Sequence, residues 1–318
     1  MSRKFLVIPL LLLAASCARN EKKTIGVVPK GANHIFWQTV RAGAIKAGLE
    51  FGYEIEWNAP TMEIDSSRQI EIVDSMVNKR LSGIVLAPVD RKALVSVVER
   101  AAALNIPVAI FDSGIDTKKR LTYVSTDNTE GGRMAARRLG EIIGGKGKVA
   151  VIGFMAGSAS TMEREHGFQD EMRLKFPEVN IVAMQFGMAD RAKSMAVTEN
   201  VLAAHPDLAG IFADNESSCD GAVAALKARK ATKVKMVAFD ANDQLIAELK
   251  SGLIDSIVVQ NPFKMGYEST KAVAMKLRGE TPVAQLDSGA TLVKKEDLEK
   301  KEIKELLFPD IQQFLKSR

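Results

Sequence analysis

Short, mostly apolar runs alternate along this chain with longer segments whose apolar residues recur at helical spacing. The short runs predict strands over 25–28, 54–57, 83–86, 108–111 and 121–125. A second series follows over 149–152, 181–185, 210–213, 234–239 and 256–260. Between them, Phe36, Val40, Gly43, Ala47 and Phe51 share one helical face, as do Ile70, Val73, Val77 and Leu81. Strands that are apolar throughout and separated by helices indicate parallel sheets covered on both faces. The expected fold class is therefore α/β and doubly wound, its parallel sheets split between two lobes.

The first residues follow another pattern. Arg3 and Lys4 precede an apolar run from Phe5 to Ala15, and Ala14-Ala15-Ser16 lead with small side chains to Cys17. The run is shorter than the roughly 20 residues a membrane-spanning helix needs. The order resembles a bacterial lipoprotein signal over 1–16, although Ala14 stands where such signals more often carry leucine. On that reading Cys17 becomes the lipid-modified first residue, anchoring the protein to a membrane through a polar tether over 17–23. An ordinary cleaved signal is the alternative, and both place the mature protein outside the cytoplasm. Beyond Cys17 only Cys219 remains, so no intramolecular disulfide is available to the mature chain. The 318 residues suffice for two lobes at about 100–200 residues per domain. The net charge is +5, with acidic and basic residues interleaved, which argues against a nucleic-acid partner.

The two strand series echo one another. Val108-Ala109-Ile110-Phe111-Asp112 in the first corresponds to Met236-Val237-Ala238-Phe239-Asp240 in the second. Each places an aspartate just past the carboxyl end of a buried strand, the edge where open α/β sheets bind ligands. Two lobes facing each other would bring Asp112 and Asp240 to one cleft. Catalytic patterns are absent: there is no GxSxG, HExxH or CxxC, and His34, His166 and His205 lack metal-ligand spacing. Gly144-Gly145-Lys146-Gly147-Lys148 precedes a strand and lacks the Ser or Thr of a phosphate loop, so it reads as a turn. Asp127-Asn128-Thr129-Glu130 fits a helix N-terminus, and Glu163-Arg164-Glu165-His166 fits a solvated helix face. An exported, two-lobed chain of this kind suggests binding, with no enzyme activity, metal or cofactor.

A series of motifs in register carries a family resemblance. It begins with Pro29-Lys30-Gly31 and His34-Ile35-Phe36-Trp37, then Ala87-Pro88-Val89-Asp90, Phe111-Asp112-Ser113 and Ser125-Thr126-Asp127-Asn128. It continues through Met162-Glu163-Arg164-Glu165, Ala189-Asp190-Arg191, Phe212-Ala213-Asp214-Asn215, Ala238-Phe239-Asp240 and Gln260. Over about residues 24–295 the chain resembles the ribose-type periplasmic sugar-binding proteins that serve ABC import permeases. The resemblance implies two similar lobes joined by a three-segment hinge, with crossings near Thr126, Gln260 and Gly289. The first lobe would comprise 24–126 and 261–289, and the second 127–260 and 290–318, ending in a helical tail.

The resemblance also implies a sugar site. Asp112, Asp240, Asn215 and Gln260 would recognise hydroxyls, and Arg164 would reach across from the second lobe. Phe36 and Trp37 would cover the C–H face of the ring. Trp37 is the better candidate, because Phe36 belongs to the apolar stripe. Thr126 would line the pocket beside the hinge, and Lys30 and His34 would stand at its mouth. Ser113, Ala87, Lys30 and His34 depart from the ribose pattern, which leaves a pentose, a hexose or a sugar alcohol open. Lys30 also resembles the Pro-Lys of receptors for the furanose-like autoinducer-2. The implied partners are a small-molecule sugar and an ABC permease, with a signalling or chemotaxis partner as the alternative and a monomer as the expected state.

Overall fold

The computed structural model describes residues 23–316 except Asn33, so the expected signal and lipid site at Cys17 lie outside the described residues. The first lobe opens with β1 (Thr24–Val28), α1 (Ile35–Phe51), β2 (Glu54–Trp57) and α2 (Ser66–Asn78). Then come β3 (Gly83–Leu86), α3 (Val95–Ala103), β4 (Val108–Phe111) and β5 (Thr122–Ser125). The second begins with α4 (Asn128–Ile142), β6 (Lys146–Gly153), α5 (Ala159–Lys175), β7 (Glu178–Phe186) and α6 (Arg191–Ala204). It continues with β8 (Leu208–Ala213), α7 (Glu216–Ala228), β9 (Lys235–Phe239), α8 (Asp243–Ser251) and β10 (Ser256–Gln260). The chain then returns to the first lobe with α9 (Pro262–Leu277) and β11 (Gln285–Asp287). β12 (Ala290–Lys294) belongs to the second sheet, and α10 (Lys301–Leu307) and α11 (Gln312–Leu315) form the tail.

Two six-stranded sheets result, in the orders β11-β5-β4-β3-β1-β2 and β12-β10-β9-β8-β6-β7. Every pairing is parallel except β12 on β10, which is antiparallel. In each sheet the strand order reverses beside the first strand, which is where a doubly wound sheet forms its ligand crevice. The chain passes between the sheets three times: after β5, after β10, and between β11 and β12.

Helices cover both faces of each sheet, so the central strands are buried. Ile84, Leu86 and Ile110 pack beneath α2 and α3, while Val85, Ala109 and Phe111 pack beneath α1 and α9. Small residues set the second layer. A Cβ added to Gly266 of α9 would lie 2.0 Å from the Val40 carbonyl oxygen, so α1 and α9 touch backbone to backbone only because glycine stands there. The observed stripe of α1 differs by one residue from the expected one. Trp37 is buried and Phe36 is partly exposed, because the helix starts at Ile35 and turns Trp37, Val40, Ala44 and Ala47 inward.

The tail corrects one expectation. Residues 290–318 are expected whole in the second lobe, and β12 and α10 do pack there, with Leu298, Ile303 and Leu307 against its core. α11 instead packs on α1 of the first lobe, with the Phe314 ring 5.8 Å from that of Phe263.

Candidate functional site

The two matched aspartates are held alike. Asp112 and Asp240 each follow a phenylalanine that ends a central strand, and each adopts a left-handed backbone, with φ of 59° and 68°. The Asp112 amide donates to the Val124 carbonyl at 3.0 Å, and the Asp240 amide to that of Val258 at 2.9 Å. Each chain end thus stays tied to the neighbouring strand while the left-handed turn redirects the side chain. A non-glycine residue in that region carries strain, which aspartate tolerates better than most, and such strain gathers at functional sites.

Both carboxylates line a single cavity of about 30 Å³ between the lobes. Lys30, His34, Phe36, Trp37, Arg164, Asn215 and Gln260 line it too, so nine of the ten residues expected at the site meet there. Thr126 does not. Its hydroxyl is turned to the Gly289 carbonyl at 3.2 Å and the Ser288 hydroxyl at 3.4 Å, so it ties two hinge crossings together.

Arg164 is the largest fully buried side chain among the described residues, which corrects the reading of 163–166 as a solvated face. Its Nε donates to Asn128 Oδ1 at 2.9 Å and its Nη1 to the Asp214 carbonyl at 2.8 Å. The guanidinium lies against Phe239, 3.8 Å from the ring centroid, and Nη1 is 3.8 Å from Asp240 Oδ2. Gln260 Nε2 donates to Asp240 Oδ1 at 2.6 Å. Burial nonetheless raises the Asp240 carboxyl above its ordinary range, with Arg164 opposing that effect. Asn215 caps α7, its Oδ1 accepting from the Ser218 amide at 3.1 Å. Its oxygen is therefore committed, which leaves the amide nitrogen as the better placed group for a ligand.

Lys30 is buried and joins the lobes. Its Nζ lies 2.8 Å from Asp112 Oδ2 and donates to Ser160 Oγ at 3.0 Å and Ser158 Oγ at 3.4 Å in the second lobe. The Ser160 amide donates back to Ser113 Oγ at 3.1 Å, so the side chain that departs from the ribose pattern serves as an interlobe acceptor. On the other side, His34 Nδ1 is 3.6 Å from Glu63 Oε1 and 3.5 Å from Glu216 Oε2. Glu63 also accepts from the Trp37 indole. Trp37 thus enters the site through its N–H, and Phe36 offers the more open ring, the reverse of the expected ranking.

Glu63, Glu216, Phe154, Ser160 and Thr161 line the cavity as well, and the sequence reading does not single them out. Glu216 had a signal: it immediately follows Asn215 at the carboxyl end of a strand. Glu63 had almost none, since it lies in the irregular stretch between β2 and α2.

Beneath the site, Glu165 and Asp214 form a buried carboxyl pair, and burial pushes both upward. One shared proton would serve the Glu165 Oε1 and Asp214 Oδ1 atoms, which otherwise lack a donor. Glu216 is raised to about 7, chiefly by burial and against the pull of His34. A carboxyl whose folded pKa exceeds its unfolded value holds protons that the unfolded chain releases, so stability declines as pH rises through that interval. Thermal melting monitored by circular dichroism is therefore expected to give a higher midpoint near pH 5 than near pH 8. Glu165→Gln should flatten that slope, whereas a midpoint rising over this range would contradict it.

Comparison with known proteins identifies the architecture. The periplasmic binding protein domain matches residues 25–281. The chain belongs to that family. Membership makes it an extracytoplasmic binding protein and not an enzyme. It is 29% identical over 261 residues to the ribose import binding protein of Bacillus subtilis, covering 82% of this chain and 84% of that one. Identity to the D-ribose/D-allose-binding protein of Pseudomonas aeruginosa is 30% over 285 residues, covering 87% and 89%. Among solved structures, the carbohydrate transporter solute-binding protein of Agrobacterium radiobacter, in complex with D-arabinose, superposes with a TM-score of 0.88. The two are 33% identical, with 91% of this chain and 99% of that one covered. Among the described residues no helix is long and apolar enough to cross a membrane, and no cluster of side chains is arranged to hold a metal ion.

Proposed function

We propose that this protein captures a neutral sugar between its lobes and delivers it to an ABC import permease. Asp112, Asp240 and the Asn215 and Gln260 amides address the ring hydroxyls, Arg164 supports Asp240 and reaches toward a ring oxygen, and Phe36 covers a C–H face. The observation that carries this reading is the convergence of Asp112 and Asp240, from equivalent ends of two sheets, on one interlobe cavity.

The three crossings form the hinge. Residues 24–126 with 261–289 move as one body, and 127–260 with β12 and α10 as the other. A ligand touching both walls binds the closed form best, and that difference in affinity shifts the population toward closure. Lys30 and Ser113 contribute lobe-to-lobe bonds that favour the same form. One chain supplies both walls, so a monomer suffices, and lipid on Cys17 keeps the receptor beside its permease.

Thermal-shift measurements on the mature chain against pentoses, hexoses, sugar alcohols and autoinducer-2 test the reading. A ligand at 100 times its dissociation constant should stabilise by about 2.7 kcal/mol. At roughly 2–4 °C per kcal/mol the midpoint rises by several degrees. No shift with any of these classes would overturn the proposal.

A further inference from the structure

A far larger cavity, of about 530 Å³, lies beside the small one, and Phe36, Glu216, Asp240 and Gln260 line both. The tail lines the larger one through residues 306–309, Ile311 and Gln312, the first turn of α1 through Ile35 and Phe36, and Arg191, Asn242, Asp243 and Gln244 add polar groups. Of the large apolar side chains that remain exposed among the described residues, Ile35 at 44% and Phe308 at 53% both face this space. Glu216 is almost wholly buried where the cavities meet, and its Oε2, 3.5 Å from His34 Nδ1, accepts no hydrogen bond.

From this we propose that the natural ligand is an aryl glycoside, its sugar ring between Asp112 and Asp240 and its aromatic aglycone in the tail-walled cavity. The inference rests on the sugar-capture reading and adds the substrate class. A volume of this size is typical of a small-molecule site, and the apolar side made by Ile35, Phe36, Leu306, Leu307 and Phe308 suits a flat aromatic group, while polar side chains line the rest. Phe36 stands at the junction, where it can cover the ring on one side and the aglycone on the other. Glu216 Oε2 can accept a hydroxyl proton near the glycosidic link. The tail completes the pocket by spanning from the second lobe to α1, so its crossing of the hinge acquires a purpose beyond packing.

Isothermal titration of the mature protein decides the matter with three forms of each of D-arabinose, D-fucose and D-ribose: the free sugar, its methyl glycoside and its 4-nitrophenyl glycoside. For the sugar that binds, the 4-nitrophenyl glycoside should bind at least about tenfold more tightly than the methyl glycoside, the gain expected from burying one aromatic ring. Phe308→Ala and Ile35→Ala alter exposed positions outside the ring pocket. Both should erase most of that gain and leave the affinity for the free sugar unchanged. A free sugar that binds while its 4-nitrophenyl glycoside is rejected, or is no better than the methyl form, overturns the inference and leaves sugar capture standing. The cavity would then belong to a protein partner or to movement of the tail. Failure of all three forms of these sugars, together with no thermal shift from any pentose, hexose, sugar alcohol or autoinducer-2, overturns both readings.

Discussion

Replacing Arg164 with methionine is expected to abolish measurable sugar binding and to lower the melting midpoint by roughly 10 °C, taking 3–5 kcal/mol for a broken buried ion pair and 2–4 °C per kcal/mol. The guanidinium is only 2% exposed, and its charge offsets Asp214 and Asp240 while its N–H groups bond Asn128 and the Asp214 carbonyl. Methionine fills much of the volume, lies well against Phe239, and returns none of those donors. The loss is therefore electrostatic in kind, and Asp214 and Asp240 should both bind protons more readily. Arg164→Lys separates the two roles. It keeps the charge but cannot bond two acceptors in one plane, so stability should recover more than affinity does. Calorimetric melting and titration of both variants provide the check. A methionine variant with undiminished stability and affinity would show that the buried cation supports neither the fold nor the site.

The strand series and the paired aspartates were legible because burial on both faces leaves an apolar signature that needs no partner to be read. β11 and β12 left no such trace. Gln285–Asp287 is three residues long and partly exposed, and β12 is an edge strand whose direction depends on where the hinge delivers it. The exchange of Phe36 and Trp37 came from a phase error of one residue. His34 makes no side-chain cap bond that would mark where the helix begins, and an apolar stripe alone leaves its phase open. Thr126 lies beside the crossing that follows β5, but its direction depends on Ser288 and Gly289, which are remote in sequence. The destination of α11 was equally hidden, since an amphipathic tail shows that it will pack without showing on which lobe. Glu63 and the interlobe bonds of Lys30 share that character: their partners, Trp37 and His34 for one and Ser158 and Ser160 for the other, are remote in sequence.

Asp112→Ala is expected to weaken sugar binding by about two to four orders of magnitude, from two charge-assisted bonds at about 1.5–3 kcal/mol each. The loss has a second source within the protein. Asp112 neutralises Lys30, whose ammonium would then keep the Ser158 and Ser160 hydroxyls and the face of Phe154 but no carboxylate, while still almost wholly buried. An uncompensated cation at the lobe interface favours opening, where water can reach it, so the closed form should lose population even without sugar. Combining Lys30→Met with Asp112→Ala separates the two effects. If both matter, the double variant should recover compactness in small-angle scattering but not affinity in titration, because the hydroxyl acceptor is still missing. Lys30→Met alone frees Asp112 Oδ2 for ligand but removes the bonds to Ser158 and Ser160 that favour closure, so it should change sugar preference as well as affinity. Unchanged affinity in Asp112→Ala, measured on protein that melts as the parent does, would remove the strand-end carboxylate from the binding surface.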